Sequence, residues 1–309
     1  MQPHPVQFPA ADGYPLHGTL WHPPGDARAC VLIHPATAVP ERLYFGFAQY
    51  LAERGFAALT YNYRGIGASR PAQLGRLDAR MRDWADLDVE AATGWARRRF
   101  PDLPLLAVGH SFGGHAIGLC DATRHLQAAV LVASHAGSTR LIRSRMERLR
   151  VRLMMRVIAP LACRLFGYMP GRYLGLGEDL PAGVLREWAR WTESPRYFFD
   201  DPTLDAPGRF ERHSLPLLVI GLDDDPWGTP AAIDLLASYL KRAKVERRQI
   251  DPRAAGGGPI GHMGAFRSRP GKVLWPDIAG WLSSAVTARH AAPSPSGAED
   301  PASPIGNRA

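Results

Sequence analysis

The chain has 309 residues, 46% of them hydrophobic and 21% charged, a globular composition that excludes a long disordered protein except at the ends. Its net charge is +8, but the cations are 34 arginines against three lysines amid abundant Ala, Gly and Pro, a compositional habit rather than a nucleic-acid footprint. Three cysteines, Cys30, Cys120 and Cys163, with no CxxC spacing, argue against both a disulfide framework and a Cys-based zinc site.

The opening MQPHPVQFPAADG lacks a basic region followed by an apolar run, so no secretory signal is expected. Val6–Phe8 and Leu16–Trp21, around Asp12-Gly13, read as a β-hairpin on a sheet edge. Short, nearly continuous apolar runs follow at Cys30–His34, Phe56–Tyr61, Leu103–Val108, Ala128–Ala133 and Leu215–Ile220. Such runs suit strands buried on both faces. Helical patterns lie between and after them, at about 41–54, 84–99, 113–125, 230–243 and 271–287, and a late strand-like segment covers Val245–Ile250. The alternation predicts a mostly parallel, doubly wound α/β sheet with an antiparallel hairpin at its start. No apolar run is long enough to span a bilayer, so a cytoplasmic protein without stable membrane insertion is expected.

Residues 137–213 interrupt this rhythm. Thr139–Leu165 is helical and amphipathic, with eight arginines among Leu, Ile, Met and Val, and Pro160 and Pro170-Gly171 break it. Pro181–Thr192 is a second helical piece carrying Trp188 and Trp191. The expected organisation is a core of residues 1–136 and 214–288, a helical cap insertion at 137–213 and a disordered tail at 289–309 rich in Pro, Ser, Ala and Gly. A membrane-surface role for the arginine-rich helix is the weaker reading beside a cap whose arginines are solvated.

Chemistry concentrates at Gly109-His110-Ser111-Phe112-Gly113, which follows a strand and opens a helix. This is the setting in which G-x-S-x-G presents a serine on a sharp, strained turn. The glycines relieve clashes, and the helix N-terminus offers N–H groups to a developing oxyanion. A bare serine hydroxyl is a weak nucleophile, so a base and an orienting acid are required. Downstream, Asp223-Asp224-Asp225 sits past the strand ending at Ile220, and His262 stands between Gly261 and Met263-Gly264. Among eleven histidines, His34 and His135 are the rivals for the base, but both precede the acids in the chain; His110 and His115 belong to the turn and its helix. No GxxxxGK[ST], HExxH or paired-Cys pattern calls for a nucleotide, cofactor or metal.

Gly109-His-Ser-Phe-Gly-Gly114, Tyr61-Asn-Tyr-Arg-Gly-Ile-Gly-Ala-Ser69, His34-Pro-Ala-Thr37, Gly167-Tyr-Met-Pro-Gly-Arg172 with Leu174-Gly-Leu-Gly177, and Gly261-His262-Met-Gly264 together resemble the α/β-hydrolases over roughly residues 5–287. The likeness is greatest to a bacterial branch of predicted α/β-hydrolases related to serine-aminopeptidase-like lipases and esterases. Two departures stand out: Asn62 where relatives carry Asp, and His34-Pro35 in place of His-Gly. The resemblance implies a cofactor-free serine hydrolase, carboxylesterase- or lipase-like, acting on a small-molecule ester, thioester or related acyl substrate. Ser111 would be the nucleophile, His262 the base, and the backbone N–H groups of Phe112 and Ala36, or Thr37 in place of Ala36, the oxyanion hole. The family places its acid three residues after a glycine, which from Gly221 gives Asp224, with Asp225 and then Asp223 as alternatives. An acyltransferase on the same triad and a catalytically silent binding protein are the competing functions. A serine at the elbow argues against chemistry that needs a carboxylate nucleophile.

Overall fold

A computed structural model describes residues 2–256 and 258–291. One sheet has strands β1 (His4–Pro9), β2 (Pro15–Trp21), β3 (Ala29–His34), β4 (Phe56–Tyr61), β5 (Leu105–His110) and β6 (Ala128–Val132). The two-residue strands β7 (Tyr168–Met169) and β8 (Leu180–Pro181) pair with each other, and β9 (Leu217–Leu222) and β10 (Val245–Ile250) complete the large sheet. Its order is β1-β2-β4-β3-β5-β6-β9-β10, antiparallel from β1 through β4 and parallel thereafter.

The apolar runs are continuous because both sheet faces are covered. On β3, Cys30 and Leu32 face a layer containing Met81, Trp84, Phe112 and Ile117, while Val31 and Ile33 face Phe47, Leu51, Ile278 and Leu282. This is the two-residue alternation of a strand with apolar partners on each side. β10 lies on the edge and carries Glu246, Arg247 and Arg248, charges that discourage pairing with another chain. His34 lies opposite Gly109, and His110 opposite Val132. The carboxyl ends of β3, β5 and β6 therefore finish together, forming the rim where open α/β sheets hold their ligands.

Two strands differ from expectation in ways that matter. β5 continues two residues past Val108, to His110. β9 runs Leu217–Leu222, two residues later than the apolar run suggested. Pro216 has no N–H to give the ladder. At the other end Asp223 N still bonds Ile250 O at 3.0 Å, so β10 carries the pairing beyond Gly221. The final helix spans Trp275–Ala291, so the expected tail begins inside it, and 292–309 lie outside the described residues.

Residues 137–213 leave the sheet after β6 and return at β9. A continuous helix of Arg145–Leu153, a π-helical turn Met154–Ile158 and Ala159–Phe166 comes first. The β7–β8 hairpin and helix Ala182–Glu193 follow. The segment is fastened to the helix beginning at Met81 by Arg82, whose guanidinium bonds Glu187 at 2.7 Å and Asp201 at 3.0 Å. Arg82 also donates its own amide to Glu187, and Trp191 Nε1 donates to Asp201 at 2.8 Å. All three charged side chains are nearly excluded from solvent, 11%, 5% and 5% exposed for Arg82, Glu187 and Asp201. Removing Arg82 leaves the two buried carboxylates only the exposed Arg190, at 2.8 Å from Asp201 and 3.6 Å from Glu187, so Arg82→Met should lower stability by about 3 kcal/mol. Urea unfolding measures this, and a loss below about 1 kcal/mol would mean that apolar contacts, not this network, hold the insertion down.

Candidate active site

Strand β5 ends at His110 and the next helix, Phe112–Leu119, begins two residues later, so Ser111 alone makes the turn. It does so at φ +51°, a conformation that non-glycine residues avoid. The glycines explain why nothing larger fits. A Cβ on Gly109 would overlap the backbone of Gly113 and Gly114, one on Gly113 the His34 carbonyl, and one on Gly114 the Ser134 hydroxyl.

Ser111 Oγ lies 2.9 Å from His262 Nε2, and His262 Nδ1 lies 2.7 Å from Asp225 Oδ2. The carboxylate can only accept, so Nδ1 carries the proton and the Nε2 lone pair faces the serine hydroxyl, the orientation of a general base. Asp225 Oδ1 accepts the amides of Trp227 and Gly228, both at 2.9 Å. Burial acts to raise the Asp225 carboxyl, but the charge of His262 and its hydrogen bond, His135 and the Gly228 amide outweigh it and hold the group well below the usual carboxylate range.

The expectation that Asp224 meets His262 is therefore corrected: the carboxylate on the ring's Nδ1 is that of Asp225. Because β9 ends at Leu222, the turn closes through Asp225 N to Leu222 O at 3.2 Å, one residue later than a count from Gly221. Asp224 instead accepts the amides of Ile260 at 2.7 Å and Gly261 at 3.0 Å, fixing the loop that carries His262. Asp223 bonds Gln249 on the edge strand.

The expected donor Ala36 is also corrected. Its N–H donates to the Tyr44 hydroxyl at 2.8 Å and is not free for a ligand. The next amide, of Thr37, meets no protein acceptor among the described residues. The Phe112 N–H opens its helix and has no acceptor within it.

Tyr44 leads to a relay that the sequence did not reveal. Its hydroxyl lies 2.9 Å from His110 Nδ1, and His110 Nε2 lies 2.8 Å from the backbone oxygen of His262. A carbonyl requires a donor, so His110 is protonated on Nε2 and its Nδ1 accepts from Tyr44, whose oxygen accepts from Ala36. The turn's own histidine thus ties the loop after β3 to the loop of His262. Only long-range packing brings Tyr44 there, so no local pattern marks it. Trp227 was likewise unforeseen: its ring lies 5.0 Å from that of His262, and its Nε1 bonds Glu147 at 2.9 Å. Glu147 does carry a sequence signal, as the one acid in the arginine-rich helix.

The rival histidines are placed elsewhere. His34 Nδ1 bonds Tyr61, His115 bonds the carbonyl of His135, and His135 packs edge-on against His262 with ring centres 5.4 Å apart. Asn62, where relatives carry Asp, donates to Glu41 at 2.9 Å and accepts that residue's amide. An aspartate there would oppose a second carboxylate. Among the described residues no group of His, Cys, Asp and Glu could hold a metal ion.

The family profile described as alpha/beta hydrolase family matches residues 30–294, and the chain belongs to that family. No curated protein matches it by sequence. Among solved structures, a soluble variant of monoglyceride lipase from Saccharomyces cerevisiae aligns at TM-score 0.68 and 14% identity, over 92% of this chain and 96% of that one. Est1E from Butyrivibrio proteoclasticus with bound ferulic acid aligns at 0.58 and 15%, over 91% and 100%. The esterase domain of a Rhodothermus marinus protein aligns at 0.58 and 15%, over 93% and 100%. At these identities the likeness is one of fold.

Four histidines around the elbow are neutral, His34, His110 and His115 buried and His135 partly so. Burial pushes His34, His110 and His115 down to about 3 and His135 to about 4, with the charge of His262 adding to the effect on His110 and His135 and that of His135 on His115. Their folded values lie below the unfolded one of about 6.5, so the stability linked to them is present above that pH. It is lost as pH falls toward the folded values, because the unfolded chain takes up protons that the folded one refuses. Stability should therefore decline between roughly pH 6 and 4, by at most about 1.4 kcal/mol per pH unit for each group. Urea unfolding at a series of pH values should show this decline, made shallower by His135→Asn. An equal slope in the variant would mean that His135 already carries its proton in the folded protein.

Proposed function

We propose that the protein is a serine hydrolase cleaving an ester, thioester or related acyl compound through an acyl-enzyme. The observation that carries the reading is the unbroken line from Ser111 through His262 to Asp225, on a strained turn at the sheet's carboxyl rim. Ser111 Oγ attacks the substrate carbonyl while His262 Nε2 takes its proton. Asp225 holds the ring and stabilises the imidazolium. The tetrahedral oxyanion meets the Phe112 and Thr37 amides, donors that need no reorganisation. His262 returns the proton to the leaving group, and water, activated by the same nitrogen, releases the acid. The aligned hydrogen bonds favour this over a silent binding protein, which has no need of a strained serine.

Ser111→Ala should abolish labelling by a fluorophosphonate and reduce p-nitrophenyl ester turnover by on the order of 10⁶-fold, with folding unchanged. Asp225→Asn keeps the shape but removes the charge, and should cost on the order of 10⁴-fold in kcat. Asp224→Asn retains an oxygen for the Ile260 and Gly261 amides and should stay within about tenfold of the native enzyme. If instead Asp224→Asn collapses while Asp225→Asn works normally, the assignment of the acid fails. Labelling that survives Ser111→Ala overturns the serine mechanism itself.

A further inference from the structure

The helix from Arg145 to Phe166 has two apolar faces. One packs inward through Met155, Ala159, Ala162 and Cys163. The other carries Met146, Leu149, Leu153, Val157, Leu161 and Leu165 into solvent, with Leu149 65% and Leu165 67% exposed. A surface helix of a globular protein is normally polar on its outer face. From Leu149 onward these residues recur every fourth position, a spacing that drifts about 40° per step around a regular α-helix. The π-helical turn at Met154–Ile158 widens the helix where the drift would otherwise carry the row out of line. Phe166, 58% exposed, extends the apolar surface at the helix's end.

The polar residues beside the stripe are of one sign. The helix contains six arginines against a single acid, Glu147. Glu147 is already engaged with Trp227 and Arg150, and Arg156 pairs with Glu193. Arg145, Arg152 and Arg164 are exposed and have no acidic partner among the described residues.

We infer that this face docks the protein on an anionic lipid bilayer. Leucines between arginines suit that surface: the apolar side chains enter the acyl boundary while the guanidinium groups reach phosphates at headgroup level. A second copy of the chain is a poor occupant, since self-contact would press arginine against arginine without an acid to separate them. Attachment is peripheral, because among the described residues no helix is long and apolar enough to cross a membrane. It also bears on the site. The helix's first turn holds Trp227, whose ring packs on His262, so a docked helix brings the rim of Ser111 to the lipid surface.

Binding can be read without turnover, so its failure and that of the hydrolase reading are separable. Full-length protein is mixed with sedimentable vesicles of phosphatidylcholine and phosphatidylserine in equal parts, and with vesicles of phosphatidylcholine alone. It should sediment with the first far more than with the second, and added salt should release it. Leu149→Gln with Leu153→Gln and Leu161→Gln alters exposed positions only, so Tm should hold while vesicle binding disappears. Arg145→Gln with Arg152→Gln and Arg164→Gln should weaken binding to the anionic vesicles by about 10²-fold, roughly fivefold per arginine. The proposal is overturned if native protein ignores anionic vesicles, or if it binds both kinds equally. It also fails if sedimentation velocity shows a dimer that the glutamine substitutions dissociate while vesicles bind nothing.

Discussion

Everything at the rim depends on Ser111 occupying the whole interval between a strand and a helix. A strand that ends at His110 and a helix that starts at Phe112 leave one residue to reverse the chain, at φ +51°. Strain of that kind, about 1–3 kcal/mol, persists only where the surroundings over-determine it. Here they do so by closeness. Gly109, Gly113 and Gly114 let the elbow helix approach β3 and the segment after β6 until no side chain fits between. That closeness sets the serine hydroxyl proud of the sheet and leaves the first helical N–H beneath it. Relaxing the turn would require moving three strands.

The same closeness creates a second constraint. His110 points into the protein beside Ser111 and, fully buried, must find its partners among protein groups. It finds a donor in Tyr44 and an acceptor in the His262 backbone. The relay therefore satisfies a buried imidazole and, in doing so, fixes two loops at once. One is the segment after β3, through the Ala36 amide, and the other is the loop that aims His262 at the serine. Position and polar satisfaction are one problem here. His110 is held in a single neutral tautomer, and its burial pushes it down to about 3.

What was legible in the sequence follows from how local each cause is. β3, β5 and β6 show as apolar runs because burial on both faces acts residue by residue. The elbow shows because its glycines answer a conformational demand within six residues. The acid turn was misjudged by one residue because its position depends on β10, some thirty residues downstream, extending the ladder of β9 past Gly221. Ala36 was misjudged because a tyrosine in the following turn claims its amide. The β7–β8 hairpin is two residues wide and has no periodicity to detect. Each miss belongs to pairing or side-chain reach across the fold rather than to propensity.

The insertion joins these constraints to the outside of the molecule. Its anchor is electrostatic and buried, through Arg82 with Glu187 and Asp201 on the sheet side. Toward the site it is held at several points: Glu147 accepts from Trp227, Thr229 donates to the Leu141 carbonyl, and the Glu178 amide donates to Ala38 O at 2.9 Å, one residue past Thr37. Arg70 adds an ion pair to Asp179 at 2.7 Å. Tyr197 and Phe198 pack on His115, in the helix that Ser111 opens. The segment therefore touches both loops that flank Ser111, the one after β3 and the one after β9. Its position and theirs are set together, because each of these bonds satisfies a polar group on both sides at once.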